Sequence, residues 1–243
     1  MDPTTGNILV AASVVFDPET GLAHVNSANA AVTEIAEPGS VAKVVTTAGA
    51  IDAGTVTPNT YFEVPYEKKF YDETLQDAAP HATESMSVGK IFAKSSNIGT
   101  IFISQSMGAQ NQEYYMRQFG FGSKTSLNFR GESAGILKPF DQWQGVENVT
   151  VAYGQGVATT SMQLLSAVNV IANGGVYVGP RLVESVGGVT TEPSPAHVAV
   201  KPETAATMTT LLKNSLCEGP ATRAQIDGYN IACKTGTGLK ARD

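Results

Sequence analysis

The 243-residue chain is 42% hydrophobic and 16% charged, with 16 Lys+Arg against 22 Asp+Glu, a formal net charge of −6 and two cysteines. Apolar content near the globular norm of about 45–50% excludes disorder as the main state, and a charged fraction under the usual ~25% leaves Ser, Thr, Asn, Gln and Gly to cover much of the surface. The acidic balance, with no Lys/Arg cluster, excludes a phosphate-tracking nucleic-acid binder, and two cysteines without neighbouring histidines cannot close a four-ligand zinc site.

No apolar run approaches the about 20 residues that span a bilayer, and the N-terminus lacks the basic-then-apolar layout of a signal peptide, so a soluble chain is expected. Asp2-Pro3-Thr4-Thr5-Gly6 followed by Asn7-Ile8-Leu9-Val10-Ala11-Ala12 reads as a turn feeding a buried strand, as in a segment cut from something longer. A second turn of this kind, Asp17-Pro18-Glu19-Thr20-Gly21, predicts a hairpin or adjacent strands, because Pro presets the turn and Gly supplies a positive φ. Val41, Val44, Val45, Ala48 and Ile51 then recur at helical spacing, a helix that starts near Ser40 and stops at Gly54. Residues 55–83 read as a long, weakly periodic loop with a strand-like Tyr61–Val64, and loops of this length usually border a site or cover a groove.

Helical signals return at Val88–Lys94, Asn97–Met107 and 111–119, broken by Ser95-Ser96 and Gly108, which makes a helical lobe. Residues 162–172 form an amphipathic pattern closed by Asn173-Gly174-Gly175, a C-cap signal. Residues 176–186 and 197–200 are strand-like, 202–216 are helical, and 229–235 read as a final strand. Strands at both ends with helices between them predict an α+β fold: an antiparallel sheet flanked by helices, with an all-helical lobe at about 55–165 inserted in it.

Three histidines, His24, His81 and His197, lie far apart in polar surroundings, and no Gly-x-Ser-x-Gly elbow is present, so a Ser-His-Asp hydrolase has no support. Ser40 and Lys43 differ. A serine at the mouth of a helix lies near unpaired N–H groups, and a lysine three residues on projects from the same face. A neutral amine there can take the serine proton, with Lys in the role His plays elsewhere. Alone, the pair is as well explained by an N-cap serine and a solvated lysine. Ser95-Ser96-Asn97 offers a hydroxyl for proton relay and an amide for a substrate carbonyl, and is also an ordinary helix cap. Lys234-Thr235-Gly236-Thr237 offers a cation, two hydroxyls and a bare glycine beside which a peptide can lie, and is also an ordinary strand end.

In this order the three segments resemble the penicillin-binding protein and serine β-lactamase superfamily. Glu37-Pro38-Gly39-Ser40, Ser95-Ser96-Asn97-Ile98-Gly99, Phe119-Gly120-Phe121-Gly122, Gly131-Glu132-Ser133-Ala134-Gly135, Tyr153-Gly154-Gln155-Gly156 and Lys234-Thr235-Gly236-Thr237 look like the transpeptidase domain of class B penicillin-binding proteins, most of all the septal, cell-division type. The resemblance runs from Asp2 to Thr237. It implies a peptidoglycan D,D-transpeptidase without metal or other cofactor, in which Ser40 is acylated by a stem peptide ending in D-Ala-D-Ala, Lys43 is general base, Ser95 relays the proton and Asn97 orients the substrate amide. It further implies that Lys234 and the hydroxyls of Thr235 and Thr237 receive the terminal carboxylate, that Gly236 binds substrate beside them, and that the N–H groups of Ser40 and Thr237 form the oxyanion hole. β-Lactam antibiotics are the implied inhibitors. A membrane glycan polymerase and other division proteins are the implied partners, and the extracytoplasmic face of a bacterial membrane the implied location.

The family continues past its Lys-Thr-Gly strand with two more strands and a helix, so the sheet is expected to lack its C-terminal strands. Gly238 stands where alanine is common. The expected lack of those strands keeps open a β-lactam sensor or idle division scaffold, and the same residues leave a D,D-carboxypeptidase or β-lactamase as lesser alternatives. In the oxidising environment implied for such an enzyme, Cys217 and Cys233 are either a disulfide or two buried thiols.

Overall fold

The computed structural model describes residues 1–25, 29–218 and 224–238, with the side chains of 216–218 left out. At its centre is a helix, α2 (Lys43–Asp52), in which every residue from Lys43 to Ala50 is buried. A helix enclosed on all sides favours small or β-branched residues and partners for its polar groups, though the buried Thr47 hydroxyl has no hydrogen-bond partner among the described residues. Val44, Val45, Ala48 and Ala50 supply the first. For the second, the Thr46 hydroxyl donates to the Ala152 carbonyl at 2.6 Å and accepts from Gln112 Nε2 at 2.9 Å. Gly49 lets the neighbouring helix close in, since a Cβ there would meet the Tyr115 ring at 2.7 Å.

Ahead of α2 in the chain, hairpin β1 (Val14–Phe16) with β2 (Ala23–Val25) is followed by α1 (Ala30–Thr33) and β3 (Ile35–Ala36). A 3₁₀ turn, Gly39–Ala42, then leads straight into α2, so the expected helix start near Ser40 is a tighter turn. After α2 come β4 (Tyr61–Val64), β5 (Glu67–Phe70), β6 (Glu73–Gln76) and β7 (Glu84–Ser87), with β4 paired to β7 and β5 to β6. The segment 55–83 is therefore not one long loop. Only β4 was legible in it, because Glu67-Lys68-Lys69-Phe70 and Glu73-Thr74-Leu75-Gln76 are mostly exposed strands with little apolar alternation to reveal them.

Helices α3 (Val88–Lys94), α4 (Asn97–Met107) and α5 (Ala109–Gln118) follow with the expected breaks. Ser87 Oγ caps α3 through Lys90 N at 3.2 Å, and Ser96 Oγ caps α4 through Gly99 N at 2.9 Å. Next are α6 (Glu147–Thr150), β8 (Thr159–Thr160), which pairs with β3, and α7 (Ser161–Ala172), started by a capping box between Thr160 and Gln163. Then β9 (Val176–Val178), hairpin β10 (Ser185–Val186) with β11 (Val189–Thr190), β12 (Ala196–Val198) paired to β9, and α8 (Pro202–Glu218) complete the order. Asp52 at the end of α2 ties α8 in place, accepting from Lys201 N at 2.7 Å and Thr204 Oγ1 at 2.9 Å. Among the described residues no helix is long and apolar enough to cross a membrane.

The class is α+β and antiparallel as expected, realised as six two-stranded pairs among the described residues. Three strand readings need correction. Residues 7–12 form no buried strand: Asn7 makes one parallel bridge to Arg181, while Leu9 and Val10 are 71% and 80% exposed. Residues 176–186 split into β9 and β10, where Gly179-Pro180 breaks the ladder, since Pro has no N–H to donate. Residues 229–235 join no ladder, and the segment is held on α8 by Cys233 N donating to Leu212 O at 3.3 Å and Ser215 Oγ donating to Cys233 O at 2.6 Å. Apolar patterning reports which residues want burial, and a strand also needs a partner for its backbone groups. Cys233 is a free thiol, and the side chain of Cys217 lies outside the described residues.

Candidate active site

Three elements far apart in sequence meet at the N-terminal end of α2. The 3₁₀ turn carries Ser40, the break between α3 and α4 carries Ser95 and Asn97, and the extended segment after Cys233 carries Lys234, Thr235, Gly236 and Thr237. Ser40, Ser95, Asn97 and residues 235–237 line a single cavity of about 480 Å³.

Close backbone approach draws the third element in. A Cβ on Gly236 would meet Val41 Cγ2 at 2.6 Å, and one on Gly39, at φ +52°, would overlap the Thr237 carbonyl oxygen outright. Glycine at both positions is what lets 235–238 cross the turn that presents Ser40. Ser95 is in the left-handed region at φ 58°, costly for a residue with a Cβ and common at functional sites, and this reverses the chain between α3 and α4.

Lys43 is fully buried. Its amine donates to the Ser95 carbonyl at 2.5 Å and to Asn97 Oδ1 at 2.7 Å, and stands 3.3 Å from Ser95 Oγ. Lys234 Nζ reaches the same Ser95 Oγ at 2.7 Å. One hydroxyl oxygen thus accepts from two amines, and its own proton remains to be given elsewhere. Burial, then repulsion from Lys234, pushes the Lys43 amine down to about 7 against the opposing pull of Asp77. Burial also pushes Lys234 down to about 8, with Cys233 opposing. The Tyr153 ring lies 5.9 Å from Lys43 Nζ. Ser40 Oγ, Ser40 N–H and Thr237 N–H donate to nothing among the described residues.

The family model for the penicillin binding protein transpeptidase domain matches residues 1–243. The chain belongs to the penicillin-binding protein transpeptidase family. It is 34% identical to Penicillin-binding protein PbpB of Mycolicibacterium smegmatis over 98% of this chain and 39% of that protein. It is 32% identical to a probable peptidoglycan D,D-transpeptidase, PenA, of Neisseria flavescens over 99% of this chain and 59% of that one. Among solved structures, a peptidoglycan synthetase from Bifidobacterium adolescentis superposes with TM-score 0.88 at 31% identity, covering all of this chain and 45% of that one. The chain thus spans well under two thirds of the curated relatives it matches.

In this transpeptidase domain every residue expected in the site falls in one place. Ser40, Ser95, Asn97, Thr235, Gly236 and Thr237 line the cavity, while Lys43 and Lys234 reach it through Ser95. Lys43 is no solvated lysine, since its amine is spent on Ser95 and Asn97. Sequence reasoning missed Ala78, Lys94, Tyr153 and Gln155 in the cavity wall, and Asp77 behind it. Tyr153 and Gln155 belong to a glycine-bracketed motif visible in the sequence, but nothing in their spacing ties them to Ser40. Asp77 lay in the segment read as a loop.

Proposed function

We propose that the domain is the catalytic part of a septal peptidoglycan D,D-transpeptidase working through an acylated Ser40. The observation that carries the reading is Ser95 Oγ held between two amines with lowered proton affinity, at the rim of the cavity that holds Ser40. With its proton affinity lowered to about 7, the Lys43 amine has a neutral form available near neutrality that can accept a proton. Ser40 Oγ attacks the carbonyl of the penultimate D-alanine as its proton passes to Lys43. The developing oxyanion takes hydrogen bonds from Ser40 N–H and Thr237 N–H, both unspent, and preorganised donors of this kind usually contribute most to the acceleration of acyl transfer. The Ser95 hydroxyl, recharged from Lys43, hands a proton to the departing D-alanine amine. Lys234 and the hydroxyls of Thr235 and Thr237 hold the terminal carboxylate, and Asn97 holds a substrate amide. An acceptor amine then attacks the Ser40 ester, forms the cross-link and returns the proton to Ser40.

The segment at about 55–165 serves as the inserted subdomain, built on α3, α4 and α5, but it is not all-helical, because the pairs β4–β7 and β5–β6 belong to it. Stem peptides and β-lactams are the ligands of the cavity. An extracytoplasmic location and work beside a membrane glycan polymerase and other division proteins follow from family likeness. The test is a D-alanyl-D-alanine peptide thioester analogue supplied with a D-amino acid as acceptor. Transfer of the acyl group to the acceptor amine in excess of hydrolysis is expected. Hydrolysis alone would replace this reading by a carboxypeptidase, and no turnover of any kind by a scaffold.

A further inference from the structure

We propose that Asp77, which touches no substrate, is a positioning residue for acylation: its carboxylate locks the turn that presents Ser95 and Asn97 to Lys43. This rests on the acyl-transfer reading above. Asp77 follows directly on β6 and is 6% exposed. Its Oδ1 accepts from Asn97 N at 2.6 Å and from Ile98 N at 2.9 Å, the opening N–H groups of α4. The adjacent Gln76 carbonyl accepts from Asn97 Nδ2 at 2.9 Å, which aims Asn97 Oδ1 at the Lys43 amine. The base of the β5–β6 hairpin therefore grips Asn97 by main chain and side chain together.

The grip is itself anchored. Asp77 N donates to Tyr66 O at 2.9 Å, and Asp77 Oδ2 meets His81 Nε2 at 3.1 Å, while His81 Nδ1 faces the Ala82 carbonyl at 2.7 Å. Each ring nitrogen of His81 thus faces an oxygen of its neighbours. Ser95 is in a left-handed conformation that must be over-determined by its surroundings, and two charge-assisted bonds to the residues just after it do that. Asp77 also acts on Lys43 through its charge, holding the amine higher than burial and Lys234 alone would leave it. The titratable and charged groups around Lys43 are Lys234 across Ser95, Asp77 behind Asn97, and the Tyr153 phenol. His81 stands behind Asp77, and Glu37 and Glu73 act on Tyr153.

Two variants separate the roles. Asp77→Asn keeps an oxygen for both N–H groups and drops the charge, whereas Asp77→Ala drops both. Acylation by a fluorescent penicillin is followed by stopped flow across neutral pH, with binding separated from the covalent step, and with circular dichroism and melting temperature as checks on folding. Asp77→Ala is expected to slow the covalent step by about 10- to 100-fold without weakening the prior binding, the usual cost of a small misplacement of reacting groups. Asp77→Asn is expected to recover most of that rate, with the rising limb of its pH profile at lower pH than wild type, because removing a nearby negative charge disfavours the protonated amine. A folded Asp77→Ala that acylates like wild type overturns the proposal. So does an Asp77→Asn limb that coincides with the wild-type limb, which decides the matter alone if the alanine variant does not fold. If wild type itself takes no penicillin, the acyl-transfer reading and this role fall together; normal wild type with unaffected variants removes only the role of Asp77.

Discussion

Lys43→Ala is expected to slow acylation of Ser40 by about 10²–10⁴-fold, the range that a positioned general base contributes. Burial is what lets Lys43 act as a base. A lysine at the surface is protonated at neutral pH and can take no proton, whereas Lys43, at the start of α2, is buried against the Ser95–Asn97 turn and the Tyr153 ring and faces a second cation, and its amine falls to about 7. The same facts set the pH dependence. On the proposed roles, acylation is expected to rise with pH as Lys43 loses its proton near 7 and to fall again as Lys234 loses its own near 8. The acylation rate against pH is thus expected to be bell-shaped, and a flat profile through this range would remove Lys43 as the base. A substitution that merely disturbed packing would lower the bell without moving it; Lys43→Ala removes its acidic limb.

Ser95→Ala carries the second large effect, a loss of about 10³-fold in the covalent step, within the range of proton-transfer catalysis. Ser95 Oγ is the one atom that both Lys43 and Lys234 approach, at 3.3 and 2.7 Å. Without it the relay to the leaving amine is cut and the two amines face each other with no acceptor between them. The readout is the acylation rate constant beside the affinity of the complex that precedes it. The loss falls on the rate constant, and a variant that lost affinity alone would place Ser95 in binding rather than in proton transfer.

Much of this site was legible in the sequence, for a physical reason. Ser40, Ser95, Asn97 and Lys234 sit where the local pattern breaks, but each break alone is equally an ordinary cap or chain end, and it is their order and surrounding motifs that single them out. The boundaries of α3 and α4 came out as expected because Ser87 and Ser96 are real caps. What stayed hidden depends on distant partners. Lys43 reads the same in sequence whether solvated or enclosed, and only α4 folding against α2 decides it. Asp77 carries no local signal, since its partners Asn97 and Ile98 arrive from another element. Strands β5 and β6 escaped because each is exposed along most of its length, and residues 229–235 were given a ladder that apolar content alone could not supply.

The most direct measurement is the intact mass of the protein after exposure to a fluorescent penicillin, followed by peptide mapping and a chase. One long-lived adduct on Ser40, absent from Ser40→Ala, is the expected result. No adduct on the folded wild-type protein, an adduct on another residue, or rapid release of the hydrolysed antibiotic would contradict a transpeptidase built on Ser40.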